Sequence, residues 1–452
     1  MMSTATIQTP GEPPLLRGAR AVPGRRPATI PAGDRWLITG FLLVLMAPPE
    51  VQFNLGTLVL SPQRIFLIVG LPLALLRVIG ERRLGFRALD LVAILHAAWI
   101  WIAISRVHGV ERAIQWSGSY SVEFLGSYFL GRAAALTPSH ILFFARRLLV
   151  FILAIGLLAI PEMLTGEHII RQAFGKILGP KSLEGVDPRF GLTRAFGPFD
   201  HPILYGVFCA SAIGLTWYLA PTRRPLGWAR LWRAAGVIIA AFASLSTGPL
   251  LACTVQGSLI AWDIASRTFR ARWGILLALL AVGYVAVDAL SNRDPVTVFI
   301  SYATFNPQTG YDRKLQWDVA TAQIAKTPVF GIGFNEWTTA PEWWHNRSLD
   351  NFWLVIAMCY GVPAVALLLG VAVTTIVRLS RAAPPALRPM RMGWIVSFIG
   401  LSIAALTVHL WGSAFMLFAF LLGMGVSLSH FRPPPKRPVA PAAGQPTEAR
   451  GL

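Results

Sequence analysis

Charged residues are scarce in this chain. Asp, Glu, Lys and Arg make up only 13% of its 452 residues, against about 25% in an average soluble domain. So little charge cannot clothe a large water-facing surface. With 54% hydrophobic residues and a mean hydropathy of +0.56, the composition is that of a polytopic membrane protein. Cysteine is nearly absent: Cys209, Cys253 and Cys359 lie within or beside apolar runs and have none of the spacings of a metal site or disulfide framework. No histidine and acidic spacing suggests a metal site, and no phosphate-binding loop for ATP is present, so neither metal nor cofactor is expected. The first 35 residues lack the short apolar stretch and cleavage site of a signal peptide, which leaves the first apolar run to act as an uncleaved anchor. The net charge of +19 would suit a nucleic-acid binder if it formed one face or block. It is divided into short clusters between apolar runs, and no nucleic acid is expected as a partner.

Runs of sufficient length and apolarity predict about twelve spanning helices, near 36–49, 62–79, 88–105, 114–131, 144–162, 202–220, 234–247, 248–264, 273–290, 351–377, 392–410 and 411–428. The pair meeting at Gly248-Pro249 is read as broken or partly re-entrant. A disordered tail is expected over 1–35, one transmembrane domain over 36–428, and a second disordered tail over 429–452, where Pro433, Pro434 and Pro435 stand in a row. Basic clusters mark alternate span boundaries, at Arg77 to Arg87, Arg132 to Arg147, Arg223 to Arg233, Arg267 to Arg272 and Arg378 to Arg391. The positive-inside rule then places both termini in the cytoplasm and exports two long polar segments, 162–201 and 291–350. The expected location is a bacterial inner membrane with these segments periplasmic.

The fourth run carries Glu123 among serines and tyrosines. A carboxylate at membrane depth must be paired or face a polar cavity, and Arg132, nine residues on, is beyond intrahelical reach. A partner on another helix is expected. The first exported segment ends in Arg194-Ala195-Phe196-Gly197-Pro198-Phe199-Asp200-His201-Pro202, a compact turn running into a helix, with Pro202 suited to its first turn. Arg194 there would fork onto phosphate oxygens or anchor to lipid headgroups; His201 would bind substrate or cap the helix. In the second segment a short amphipathic helix is predicted over 320–326, stopped by Pro328. Arg313 could hold a diphosphate, while Trp317 could stack on a sugar or serve as an interfacial anchor. The segment closes on His345-Asn346 and Asp350-Asn351. Glycan transfer from a lipid diphosphate needs positive charge where the diphosphate leaves and a proton acceptor for the incoming hydroxyl.

Taken in order, Glu123 with Gly131-Arg132, the Arg194-to-Gly206 block, Arg313 with Trp317 and the Pro328-to-Gly333 turn, and Asp350-Asn351 followed by Gly361 resemble the O-antigen ligase and O-antigen polymerase superfamily, especially its exopolysaccharide-polymerase-like branch. The resemblance covers roughly residues 115–375. It implies an all-α, GT-C-like membrane fold and transfer of an undecaprenyl-diphosphate-linked oligosaccharide to a glycan acceptor, with a chain-length regulator and export proteins as possible partners. Carried over, it makes Arg194 and Arg313 the leading donor contacts; His201, Trp317, Asn351, Glu123 and Arg132 are the further candidates for substrate binding. Asp350 and His345 are the candidate bases. The chain departs from the family twice. Asp350 stands where relatives have histidine, and Ser246-Thr247-Gly248 lacks the arginine of their Ser-Arg-Gly, so one diphosphate contact is missing or comes from Arg189 or Arg293. A polymerase joining repeat units is the leading reading. A ligase moving finished glycan to lipid A core, a transporter and a noncatalytic export scaffold are the alternatives.

Overall fold

The structure, a computed structural model, describes residues 29–55, 58–182, 185–222, 224–295, 297–298, 307–341, 348–381 and 384–431. These form an all-α polytopic membrane protein. A short helix α1 (Ala32–Val44) leads to a small antiparallel hairpin, Phe53–Leu55 with Leu58–Leu60, and then to α2 (Pro62–Gly80), α3 (Ala88–His108), α4 (Val110–Ala134) and α5 (Pro138–Thr165). The amphipathic α6 (Ile169–Leu178) follows, then α7 (Pro202–Ala210), α8 (Ile213–Tyr218), α9 (Trp228–Phe242), α10 (Thr247–Ala265) and α11 (Arg272–Leu290). The chain continues with α12 (Pro307–Lys326), α13 (Phe352–Tyr360), α14 (Val362–Ser380), α15 (Arg388–Ala404) and α16 (Gly412–Ser429).

Among the described residues, 6 helices are long and apolar enough to cross a membrane: α2, α3, α5, α11, α14 and α16. Three predicted spans are interrupted. The run 202–220 divides at Ser211 and Ala212, and 351–377 divides at Gly361, whose φ of 86° ends one helix and starts the next. The pair expected to meet at Gly248-Pro249 breaks earlier, at Ala243 to Ser246, with Leu245 at φ 45°. The amphipathic helix expected over 320–326 begins at Pro307, since proline suits a first helical turn. The expected tail calls fall largely on 1–28 and 432–452, outside the described residues.

The core is built around α16, which lies against α4. Gly131 and Gly423 face each other's helix so closely that a Cβ on Gly131 would overlap the Phe420 carbonyl and one on Gly423 the Tyr128 carbonyl. Lipid offers no hydrophobic drive for helices to associate, so close backbone approach through small residues supplies it. At the same end, Arg132 binds Asp90 twice, at 2.8 and 3.0 Å, and donates to Ser427 Oγ at 2.6 Å and Gly85 O at 2.7 Å. Tyr128 adds a donor to Asp90 at 2.8 Å. Every member of this buried ionic group has a partner, which is the condition for keeping charge at depth.

Two glycines separate helix packing from helix propensity. Gly423→Ala is expected to destabilise by roughly 1–3 kcal/mol through overpacking. Gly283→Ala, where a Cβ meets nothing within 4 Å, should be neutral or gain a few tenths. Thermal unfolding in detergent checks both, and equal midpoints would remove the Gly131–Gly423 contact as an organising feature.

Candidate functional site

The site lies at the end of the bundle opposite Arg132, where α3 finishes, α4 starts and α12 sits. Its first wall is the loop from Arg189 to Pro202. Arg189 and Leu192 exchange backbone hydrogen bonds, both 2.9 Å, around Phe190 and Gly191 at φ 54° and 72°. The loop is pinned beyond that by Thr193 N–H to Met163 O at 3.1 Å and Ala195 N–H to Ala243 O at 3.0 Å. Glu162, 1% exposed, closes it: its carboxylate accepts from Phe196 N–H at 2.9 Å and Gly197 N–H at 3.1 Å, and pairs with His168 at 2.6 Å. The buried turn after Arg194 thus has a charged acceptor for donors that would otherwise be orphaned.

Two arginines of this loop clasp the bend before α10. Arg194 Nη2 donates to Ser246 Oγ at 2.8 Å and Nε to Ser244 O at 3.4 Å, while Arg189 Nη1 donates to Leu245 O at 2.9 Å. The strained Leu245 backbone is held between them. This bend precedes Thr247, which stands where an arginine was expected. Arg189 brings a guanidinium to the same segment from another loop.

The second wall comes from α12 and the chain after it. Gln316 accepts the Asp350 N–H at 2.9 Å, and Gln323 accepts from Thr338 N–H at 2.9 Å and Thr338 Oγ1 at 3.0 Å. Both glutamines are buried and fasten the loop to the helix carrying Arg313. The Pro328-to-Gly333 turn repairs the break at Gly361. Ile332 and Gly333 N–H groups donate to the Met358 and Cys359 carbonyls at 2.8 and 3.0 Å, and Val362 N–H donates to Pro328 O at 2.8 Å. Gly331 and Gly333, at φ 69° and 59°, have no room for a Cβ against Cys359 and His108.

Asp350 lies within electrostatic range of Arg313 and Arg194, Arg313 also of Arg189, and His201 of Arg194 and Arg189. Burial raises the Asp350 carboxyl above the ordinary range, opposed by Arg313 and Arg194. Burial lowers Arg313, with Asp350 opposing and Arg189 assisting, although a guanidinium stays charged at any working pH. The Arg313 Nε is buried with no hydrogen-bond partner among the described residues. His201 falls to about 4 through burial and the two arginines, so it is neutral near pH 7. Its Nδ1 accepts the Ile203 N–H at 3.1 Å as the cap of α7. Two guanidinium groups, Arg313 and Arg194, therefore act on the Asp350 carboxylate, while Arg189 acts on Arg313 and has Asp187 near it.

The other nominated residues are distributed elsewhere. Asn351 caps α13, accepting the Leu354 N–H at 3.1 Å, and sets the position of Asp350 beside it. Trp317, 47% exposed, stands one helical turn from Arg313. Glu123 finds its partner on another helix, Arg64 of α2 at 2.8 Å. Arg132 is engaged by Asp90 at the far end of α4. His345 lies outside the described residues. Glu162 and Gln316 escaped sequence reasoning, and Ser246 entered it only as part of Ser246-Thr247-Gly248; Glu162 carried a signal, as a single carboxylate at the end of a long apolar run.

Residues 234–369 match the family model for O-antigen ligase. The superfamily of O-antigen ligases and polymerases is thereby supported. The matched O-antigen ligase region contains the Ser244 to Ser246 bend, Arg313, Asp350 and the repaired break at Gly361, while Arg189 and Arg194 precede it. No curated protein matches the chain.

Two measurements test this construction. Glu162→Gln turns one acceptor into a donor against the loop's N–H groups and should cost about 1–3 kcal/mol, read as a lower unfolding midpoint in detergent; an unchanged midpoint would remove Glu162 as the anchor. The depressed His201 pKa means its contribution is present above pH 6.5 and lost as the pH falls toward about 4, at most roughly 3 kcal/mol. His201→Asn keeps a cap that does not titrate, so its midpoint should fall less steeply over that window. His409, also lowered to about 4 by burial, leaves some acid sensitivity in the variant.

Proposed function

We propose that this protein transfers a glycan from a polyprenyl diphosphate to a hydroxyl of a second glycan, joining repeat units of an exopolysaccharide or O-antigen. The observation that carries the reading is Asp350 within electrostatic range of Arg313 and Arg194, with Arg189 near Arg313 and the buried Arg313 Nε without a hydrogen-bond partner among the described residues. A diphosphate leaving group develops the charge that such a cluster neutralises, and guanidinium forks match its oxygens. The acceptor hydroxyl oxygen bonds to the anomeric carbon as Asp350 takes its proton. The bond from that carbon to the diphosphate oxygen breaks, and its electron pair departs with the polyprenyl diphosphate. Burial, which raises Asp350, makes it a stronger base than an exposed aspartate. Arg189 takes the part of the arginine absent at Thr247.

The description of the family model as O-antigen ligase favours a second reading, in which finished glycan moves to lipid A core or another acceptor. In both readings the protein lies in a bacterial inner membrane with its termini in the cytoplasm and the arginine cluster facing the periplasm, as the basic clusters at alternate boundaries favour.

Purified protein given a lipid-diphosphate repeat unit should lengthen it, read as a ladder on a gel; a single addition to a distinct acceptor would favour the ligase. Arg313→Ala should lower the rate by about 10²-fold to 10³-fold and Asp350→Asn by at least about 10²-fold at normal abundance. Activity needs ionised Asp350, so the rate should fall as the pH drops through its raised pKa, earlier than for an ordinary carboxylate. Full activity in both variants would overturn the assignment.

A further inference from the structure

The helix α6 is packed with its polar edge inward. Only Arg171 and Gly175, four positions apart on that edge, are buried. Arg171 donates from Nε at 2.8 Å and from Nη2 at 2.7 Å to Oε1 of the buried Glu50, and Gly175 lies so near Pro180 that a Cβ would stand 3.3 Å from its Cα. The apolar residues fall in two adjacent rows at helical spacing, Ile169-Ala173-Ile177 and Ile170-Phe174-Leu178. These rows turn outward: Ile169, Phe174 and Leu178 are exposed, and Ile177 is 81% exposed. A surface helix of a water-facing domain does the reverse, with its apolar stripe on the core and its charge in solvent.

The ion pair fixes this inversion. Rolling the apolar rows onto the protein would pull Arg171 from Glu50 and leave a buried carboxylate uncompensated. The surroundings say what meets the outward face. Only Gly166, Glu167 and His168 separate α6 from α5, which is long and apolar enough to cross a membrane, and so short a link spans at most about 14 Å. The apolar surface of α5 continues up to that link, since Leu164 in its last turn is 63% exposed. The outward rows of α6 thus begin where the lipid-facing surface of α5 ends. Along one flank of α6, Gln172 and Lys176 are exposed, and Gln172 donates to Glu167 at 2.7 Å. A polar strip beside a broad apolar face, with a lysine stem able to reach past it, is the pattern of a helix lying between headgroups and acyl chains.

We infer that α6 is seated in the bilayer leaflet at the arginine end of the bundle, its apolar face among acyl chains, and that this seating sets the depth of the Arg194 loop. The start of α6 is fastened to that loop. His168 pairs with Glu162 at 2.6 Å and its ring meets Phe196 edge-on at 4.9 Å, while Glu162 holds the Phe196 and Gly197 amides. A helix kept at the headgroup boundary therefore keeps Arg194 near it. That this is the depth at which a lipid-linked diphosphate is met rests on the proposed function; the seating of the helix does not.

The test uses the full chain in vesicles of phosphatidylethanolamine and phosphatidylglycerol, with a nitroxide label on Phe174→Cys, Ile177→Cys or Gln172→Cys. Cys209, Cys253 and Cys359 are buried, and the unaltered protein taken through the same labelling gives their background. Collisions with oxygen, which concentrates in lipid, should exceed those with a water-soluble nickel chelate severalfold in Phe174→Cys and Ile177→Cys, and the ratio should reverse in Gln172→Cys. An excess of nickel collisions in Ile177→Cys would overturn the seating by placing the face in water. Shielding from both reagents would overturn it by assigning the face to a protein partner, and a disulfide between two Ile177→Cys chains would identify that partner as a second copy. Ile177→Glu, with its unfolding midpoint showing that it folds, should raise KM for a lipid-diphosphate donor tenfold or more while kcat changes less than twofold, and Ile177→Leu should behave as the unaltered protein. The readings fail separately: an unchanged KM in Ile177→Glu overturns the depth-setting role, and an oxygen excess in a protein that transfers no glycan overturns the proposed function alone.

Discussion

Backbone amides and carbonyls inside a bilayer have no water to turn to, so every interruption of a helix there must be repaired by protein. The candidate site contains two helix breaks and one buried loop whose backbone groups are satisfied in this way. At Gly361 the chain stops being helical, and the Pro328-to-Gly333 turn supplies the N–H groups that satisfy the freed carbonyls. At Ala243 to Ser246 the bend is met by Arg189 and Arg194. After Arg194, the Phe196 and Gly197 amides are taken up by Glu162. Each repair brings a distant stretch of chain to the break. Side chains carried on those stretches arrive with them.

Charge follows from this geometry. Arg132 and Asp90 at one end of the bundle, and Arg64 with Glu123 partway along it, show how the protein normally treats ionic groups within the helices: each has an opposite charge in contact. In the candidate site more than one guanidinium, Arg313 and Arg194, acts on the single carboxylate of Asp350. The buried Arg313 Nε has no hydrogen-bond partner among the described residues, and the adjacent histidine is kept neutral. Buried charge is costly unless it is compensated. In the reaction proposed above, a diphosphate that becomes more anionic as its sugar leaves would be stabilised most when the bond breaks, which is where binding energy accelerates a reaction.

Much of the fold was legible because it depends on composition and local pattern. Apolar runs, Pro at helix starts and glycine at turns announced most helices, and the depth of Glu123 required a partner on another helix, though not which. The breaks at Gly361 and Leu245 were harder to locate, since an apolar run reads as continuous whether or not its hydrogen-bond ladder is. Arg194, Arg313 and Asp350 could be nominated from residue type beside glycine and proline turns. His201 and Asn351 resembled ligand contacts because capping and ligand binding draw on the same residue types.

The sequence by itself determined that this is an all-α membrane protein with polar stretches between its spans, because hydrophobic transfer energy and helix-end chemistry act over a few neighbouring residues. Only the tertiary structure decided which charges meet. Arg189 and Leu245 are 56 positions apart and Arg171 and Glu50 are 121. Their approach depends on helix packing and on the repair of backbone breaks, neither of which is written in any local pattern. The same long-range placement decided that Asp350 faces arginines and that Arg132 does not share their site.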